Sequence, residues 1–319
     1  MARTRPQPGT LVPPAQPGAV AGGAVPPGQP DRPGPASARR PRRPRSGRPR
    51  PLAHLGLTAV ALLMLYPVLW LVSSSFKPRE EIFSSASLVP ADPTLANYVE
   101  GWTGVGLPFT VYLVNSLLIC AAAVVGNVLS CSLAAYAFAR MRFVGRRVMF
   151  ALMLATLMLP QHVTLIAQYA IFRDLGWVDT VLPLVVPKFL ATEAFFVFLM
   201  VQFIRGLPQE LFEAARIDGC GSFAIYRRIV VPLLRPALVT TAIFSFIWTY
   251  NDFFSQLIYL SSPEKLTVPL ALRTFLDTSG QSEWGQMFAM SVVTLVPVVA
   301  VFVLFQRKIV AGMASSGMK

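Results

Sequence analysis

Charge is what this chain has least of. Only 13% of its 319 residues are Asp, Glu, Lys or Arg, against about a quarter in an ordinary soluble domain. With a mean hydropathy of +0.55, that deficit excludes a conventional soluble protein and predicts one that lives in a bilayer. Cysteine is scarce too. The three present rule out a disulfide framework, and Cys120 and Cys131, eleven residues apart in one apolar run, stand roughly 16 Å apart on a helix and cannot bridge. Only two histidines occur, His54 and His162, without metal-ligand spacing, so neither a metal nor a cofactor is expected. No G-x4-G-K-[ST] phosphate loop occurs anywhere. Ser279-Gly280-Gln281 is a fragment of an ATPase signature without that loop, and is read as coincidence.

Where the charge sits decides what it means. Residues 1–52 hold ten Arg against one Asp, +9 of the formal net +13, which leaves +4 for the rest. A nucleic-acid binder would spread its basic residues over a folded surface. Here they crowd into a Pro-, Gly- and Ala-rich tail that cannot bury enough apolar surface to fold, so disorder is expected over 1–52. Arg39 to Arg50, just before the first apolar run, suit an orientation signal, or contact with anionic membrane lipid. Cleavage as a signal peptide is not expected, because the apolar run that follows is longer than a signal core.

From residue 53 to 319 the chain reads as one transmembrane domain. Six segments approach the about 20 residues needed to cross a bilayer: 55–76, 109–139, 148–172, 181–203, 236–259 and 286–305. The second is longer than necessary and should tilt or project. The connections alternate in charge. Loop 77–108 is net −2 and loop 260–285 net −1, whereas 140–147 carries Arg140, Arg142, Arg146 and Arg147 without an acid, and 204–235 carries five Arg against Glu210, Glu213 and Asp218. The positive-inside rule therefore places both termini and the 204–235 loop in the cytoplasm. The expected class is an all-α integral membrane protein of six helices with a polar cytoplasmic helix-turn-helix between spans four and five.

That loop holds the most specific pattern in the chain: Glu213-Ala214-Ala215, then Gly219 after three residues, then Ile229-x-Val231-Pro232 after nine more. Pro208 suits a first helical turn, and Glu210 and Glu213 favour the positive end of a helix dipole. Gly219 suits a turn. Phe223, Tyr226, Ile229 and Val230 then recur at helical spacing, with Arg227 and Arg228 on the polar side. A surface-lying amphipathic pair would account for the spacing alone. A DNA-reading helix-turn-helix is excluded, since a duplex cannot approach a loop pinned between two spans.

The pattern resembles the cytoplasmic "EAA" loop of bacterial ABC importer permeases. The similarity extends through Leu159-Pro160-Gln161, Phe203 to Pro208, Trp248 to Phe253 and Gln306-Arg307-Lys308 with Gly312, and points to the carbohydrate-uptake branch similar to the maltose-type second permease. It departs at Val231, where leucine is usual, and at Ala314-Ser315-Ser316; the Arg/Pro tail lies outside it. The resemblance implies a bacterial cell-membrane location, ABC ATPase subunits that hydrolyse ATP, a second permease subunit and an extracytoplasmic solute-binding protein. It also implies that Glu213, Ala214, Ala215, Asp218, Gly219, Ile229 and Pro232 couple this chain to the ATPase, with Gly219 permitting close approach. The chain itself would be no enzyme.

For the solute path, the acids within spans are the informative residues, because ionisable side chains there usually face a bundle interior or water. Asp252 with Tyr250, Asn251 and Gln256 forms a polar, aromatic patch suited to a hydroxyl-rich sugar, and Gln161, His162 and Gln168 could line the same route. Glu193 is read as interfacial. A non-carbohydrate solute is the alternative within the class. An intramembrane enzyme, the alternative outside it, would need Glu193 and Asp252 to adjoin.

Overall fold

The computed structural model describes residues 51–276 and 282–316. The chain divides into Met1–His54 and Leu55–Lys319, and the Arg-rich tail over 1–50 and Ser279-Gly280-Gln281 lie outside the described residues. Among those described, regular structure is entirely helical, as a bilayer requires of a chain without a closed barrel.

Helix α1, Pro51–Ser74, is exposed along residues 54–69. Helix α2, Phe109–Arg140, is the central element: 32 residues, about 48 Å at 1.5 Å per residue, well beyond the roughly 30 Å hydrocarbon core. Its buried positions, from Phe109 and Tyr112 through Ser116, Ala123 and Asn127 to Tyr136, recur every three or four residues and make a continuous stripe. In lipid the apolar stripe gains little from leaving the solvent, so small residues and interhelical hydrogen bonds do the holding. Gly126 lets the chain at Phe189 approach so closely that a Cβ would lie 2.8 Å from that ring. Asn127 Nδ2 donates to Ser245 Oγ at 2.8 Å, in a buried contact.

The third expected span is interrupted. Helix α3, Arg146–Thr156, and helix α4, Gln161–Asp174, are separated by residues 157–160. Pro160 has no N–H to continue the ladder and disfavours helical backbone at Leu159. The chain tightens into i→i+3 bonds from Leu157, Met158 and Leu159 before Pro160 goes extended at ψ 123°.

The fourth is broken as well. Leu182–Val185 and a 3₁₀ turn at Val186–Leu190 lead to Ala191, in the left-handed region at φ 54°. Helix α5, Ala194–Arg205, resumes beyond it. The fifth expected span stops early. Helix α7, Arg235–Tyr250, ends at Tyr250 rather than residue 259, and a separate short helix α8, Phe254–Tyr259, follows. Asp252 Oδ1 accepts from the Ser255 N–H at 3.1 Å, a side chain competing with the backbone ladder. The last helix, Trp284–Ser316, is continuous through Pro297.

Among the described residues, four stretches are long and apolar enough to cross a membrane: His54–Ser74, Phe109–Arg140, Leu182–Arg205 and Trp284–Gln306. Ser222–Leu233 and Arg235–Tyr250 qualify only when taken together, across a 76° bend. The six-span expectation therefore differs at the third and fifth segments, where no single helix reaches that length.

Candidate functional site

Within residues 204–235 lie one regular helix, a glycine turn and a second, irregular helical stretch. Helix α6, Glu210–Ile217, turns Phe212 and Ala215 inward and leaves Glu213, Ala214, Asp218 and Gly219 exposed. Gln209 Nε2 donates to Glu213 Oε1 at 2.8 Å. The helix ends in a Schellman turn: Cys220 N–H reaches Ala215 O at 2.9 Å and Gly219 N–H reaches Arg216 O at 3.0 Å. Gly219 is left-handed at φ 77°. A Cβ there would meet nothing within 4 Å, so within this chain the glycine serves backbone angle, not close approach.

The second half departs from a regular amphipathic helix. One helical turn, Ser222–Ile225, passes into a wider turn at Tyr226–Val230 and then Val231–Leu233. Val231 N–H bonds to Tyr226 O, five residues back. Pro232 explains the widening, because its ring crowds the carbonyl of Arg228 four residues earlier and cannot donate to it. Tyr226 and Val230 are buried, Ile229 is half-buried and Pro232 is exposed. Phe223, expected inward, is 68% exposed, beside exposed Arg227 and Arg228.

This element is locked to the spans behind it. Phe212, Ala215, Ile225, Tyr226 and Val230 share one core with Ala135 and Tyr136 of α2 and with Val197, Met200, Val201 and Ile204 of α5. The Ser132 and Tyr226 hydroxyls hydrogen-bond at 2.7 Å, in a buried contact. Arg140, last residue of α2, donates from Nη2 to Ile204 O at 2.8 Å and to Leu207 O at 2.6 Å. It thereby adds a charged donor at the C-terminal end of α5, where carbonyls carry the negative end of the helix dipole, and its guanidinium lies 4.2 Å from the Phe212 ring centroid. Sequence reasoning counted Arg140 only as an orientation charge; nothing local marks it as the clasp between two spans and α6.

The patch at 250–256 is less available than its residue types suggest. Tyr250 is buried and its hydroxyl donates to Thr294 O at 3.1 Å. Gln256 is buried, donating to Thr249 O at 3.1 Å and accepting from the Thr267 hydroxyl. Asn251 is exposed, with Nδ2 turned back to Ile247 O at 2.8 Å, and Asp252 is half-buried. His162 packs edge-on to Phe254, centroids 4.9 Å apart, and Gln168 is exposed; the Gln161 side chain lies outside the described residues. Glu193 and Asp252, which an intramembrane enzyme would need as a pair, have different partners: Glu193 bonds to Lys188, and Asp252 to the Ser255 N–H.

A tie at the other end of the bundle escaped the sequence reading. Asp179, left-handed at φ 59°, accepts from the N–H groups of Ser261 and Ser262, at 3.0 and 2.9 Å, from the Ser262 hydroxyl, and from Lys265 Nζ at 2.9 Å. The Ser262 hydroxyl foremost, then the two N–H groups and Lys265, hold its carboxyl well below the usual carboxylate range. No group of three or more His, Cys, Asp or Glu among the described residues could hold a metal ion.

Residues 126–315 match the family described as "Binding-protein-dependent transport system inner membrane component". The chain is 34% identical, over 271 residues, to the arabinooligosaccharides transport system permease protein of Halalkalibacterium halodurans, covering 84% of this chain and 96% of that one. It is 33% identical, over 270 residues, to the trehalose/maltose transport system permease protein of Thermococcus litoralis, covering 85% and 97% respectively. Its fold is similar to a chain in the crystal structure of a bacterial ABC transporter involved in import of the acidic polysaccharide alginate. There the TM-score is 0.71 at 24% identity, over 84% of this chain and 99% of the other.

Proposed function

The chain belongs to the family of binding-protein-dependent transport system inner membrane components, and on that premise we propose that it is the sugar- or oligosaccharide-translocating permease subunit of an ATP-driven importer. It is a multi-pass protein of the plasma membrane. Its partners are ABC ATPase subunits on the cytoplasmic side, a second permease subunit that completes the path, and a solute-binding protein outside. Both termini lie in the cytoplasm, as the loop charges require, and α3 with α4 together make the remaining crossing.

One observation carries the coupling role: α6 presents Glu213, Ala214, Asp218 and Gly219 outward while Arg140 clasps its inner face to two spanning helices. An ATPase seated on the outer face would move α6 and, through a close-packed core with no slack, turn α2 and α5 as rigid bodies. Ile229 and Pro232 shape the second half of the same element. The names of the relatives support a carbohydrate as solute. Asn251 and Asp252 are the members of the 250–256 patch still placed to meet it; Tyr250 and Gln256 hold helix ends together.

Co-purification with the ATPase from membranes tests the coupling role. Glu213→Ala and Gly219→Ala proteins should insert normally yet lose the ATPase and uptake together. If both variants hold the ATPase and support uptake, the coupling assignment is wrong.

A further inference from the structure

Lys188 and Glu193 form an ion pair across the break in the fourth span, their side chains 25% and 29% exposed. From the cytoplasmic end at Arg205, the twelve residues of α5 place Glu193 about 18 Å in, near the middle of a roughly 30 Å core. Charges at that depth are costly against lipid and belong to bundle interiors or water-filled paths, and irregular backbone there obeys the same restriction. Glu193 is therefore not interfacial.

The break is built rather than frayed. Ser130 Oγ donates to Lys188 O at 2.8 Å and accepts from the Ala191 N–H at 3.2 Å. Thr192 Oγ1 donates to Pro187 O at 2.9 Å. Gly126 seats the loop, since a Cβ there would lie 3.0 Å from the Lys188 carbonyl carbon. An ammonium carries three donors and a carboxylate two acceptor oxygens, and the side-chain contact described for the pair uses one of each. Two residues further along, Phe195 packs on Trp248 at 5.3 Å, and Phe196 stacks on the same indole at 5.1 Å. Phe195 and Trp248 remain 37% and 45% exposed.

Resting on the importer reading above, we propose that Lys188, Glu193, Phe195 and Trp248 form a mid-membrane contact site for a polyhydroxylated solute. The ion pair takes hydroxyls with its spare donors and acceptors, and the ring faces take the apolar C–H faces of a sugar. Charge-assisted bonds supply orientation, and the exposed aromatic surface supplies area without demanding one particular sugar.

The test uses the complete transporter in membrane vesicles, with Cys120, Cys131 and Cys220 changed to Ser. Glu193→Cys and Trp248→Cys should each react with a charged, membrane-impermeant methanethiosulfonate at least tenfold faster than Leu118→Cys, whose leucine is an exposed residue of α2. Equal rates in an assembled transporter would overturn the site. Uptake of maltose, trehalose and an arabinooligosaccharide is measured in parallel. For whichever is carried, Glu193→Gln should raise KM at least tenfold, with Trp248→Phe affecting it less than Trp248→Ala. An unchanged KM overturns the solute contact even if the cysteines react. If the unmodified transporter carries none of the three, the carbohydrate reading and this site's ligand fall together, while fast labelling would still place the pair on an aqueous path.

Discussion

Segments 210–219 and 250–256 are both polar interruptions in an apolar chain, and they use their polar groups in opposite ways. In the first, Glu213, Asp218 and Gly219 face outward, and the load of holding the element falls on Phe212, Ala215 and the distant Arg140. In the second, Tyr250 and Gln256 are buried and spend their hydrogen bonds on Thr294, Thr249 and Thr267. Polarity inside a membrane chain thus marks two arrangements: polar groups left exposed, and polar groups that replace the hydrophobic effect as the adhesive between helices.

Four substitutions and a change of pH can break or sharpen that contrast. The largest effect belongs to Arg140→Ala, which strips two charge-assisted hydrogen bonds and the contact over Phe212. A loss of about 3 kcal/mol is expected, charge-assisted bonds contributing about 1.5–3 each. Thermal unfolding of the purified permease would read it, together with loss of the ATPase. Next comes Gln256→Leu, which should destabilise by about 2 kcal/mol by orphaning the buried Thr267 hydroxyl and removing one of the bonds to the Thr249 carbonyl, with docking of the ATPase untouched. A stability unchanged in that variant would mean the patch is not structural and would restore it as a path candidate.

Gly219→Ala should cost about 1 kcal/mol in the isolated permease, the toll of a Cβ at positive φ, because the space around it is open. If ATPase affinity falls more than tenfold beyond that toll, the partner itself requires the absence of a side chain. The smallest effect is on pH dependence. Asp179 has a depressed carboxyl, so its contribution is fully present above the unfolded value of about 3.9 and is lost as pH falls from there through the folded value. Hydrogen exchange of the Ser261 and Ser262 amides, normalised for intrinsic pH dependence, should therefore show constant protection from pH 5 to 8. Asp179→Asn, which keeps one acceptor oxygen but sets an N–H2 donor against Lys265 and the Ser262 hydroxyl, should lower protection over the whole range and abolish the acid-side loss.

Much of this was legible in the chain alone. The apolar runs located the long helices at 109–140 and 284–316 because burial in hydrocarbon demands a continuous apolar stretch with an internally satisfied backbone. Gly219 was legible because a Schellman turn needs a left-handed residue at one position. The break at Pro160 was not taken from the sequence, although the proline was visible, because prolines within membrane helices are often accommodated, as Pro297 is. The clasp at Arg140 and the tie at Asp179 were invisible for a different reason: their partners lie 64 to 86 residues away, and no local spacing encodes them.

Composition and the long apolar runs thus determined by themselves that this is a helical membrane protein, and the spaced glutamate–alanine–glycine pattern carried its resemblance to importer permeases, because partitioning and local backbone geometry depend on the residues and their near neighbours. Which polar side chains remain free was decided only by tertiary structure. A hydroxyl or carboxamide inside a bilayer must find a partner, and whether that partner is another helix or an arriving solute depends on packing between helices that are far apart in the chain.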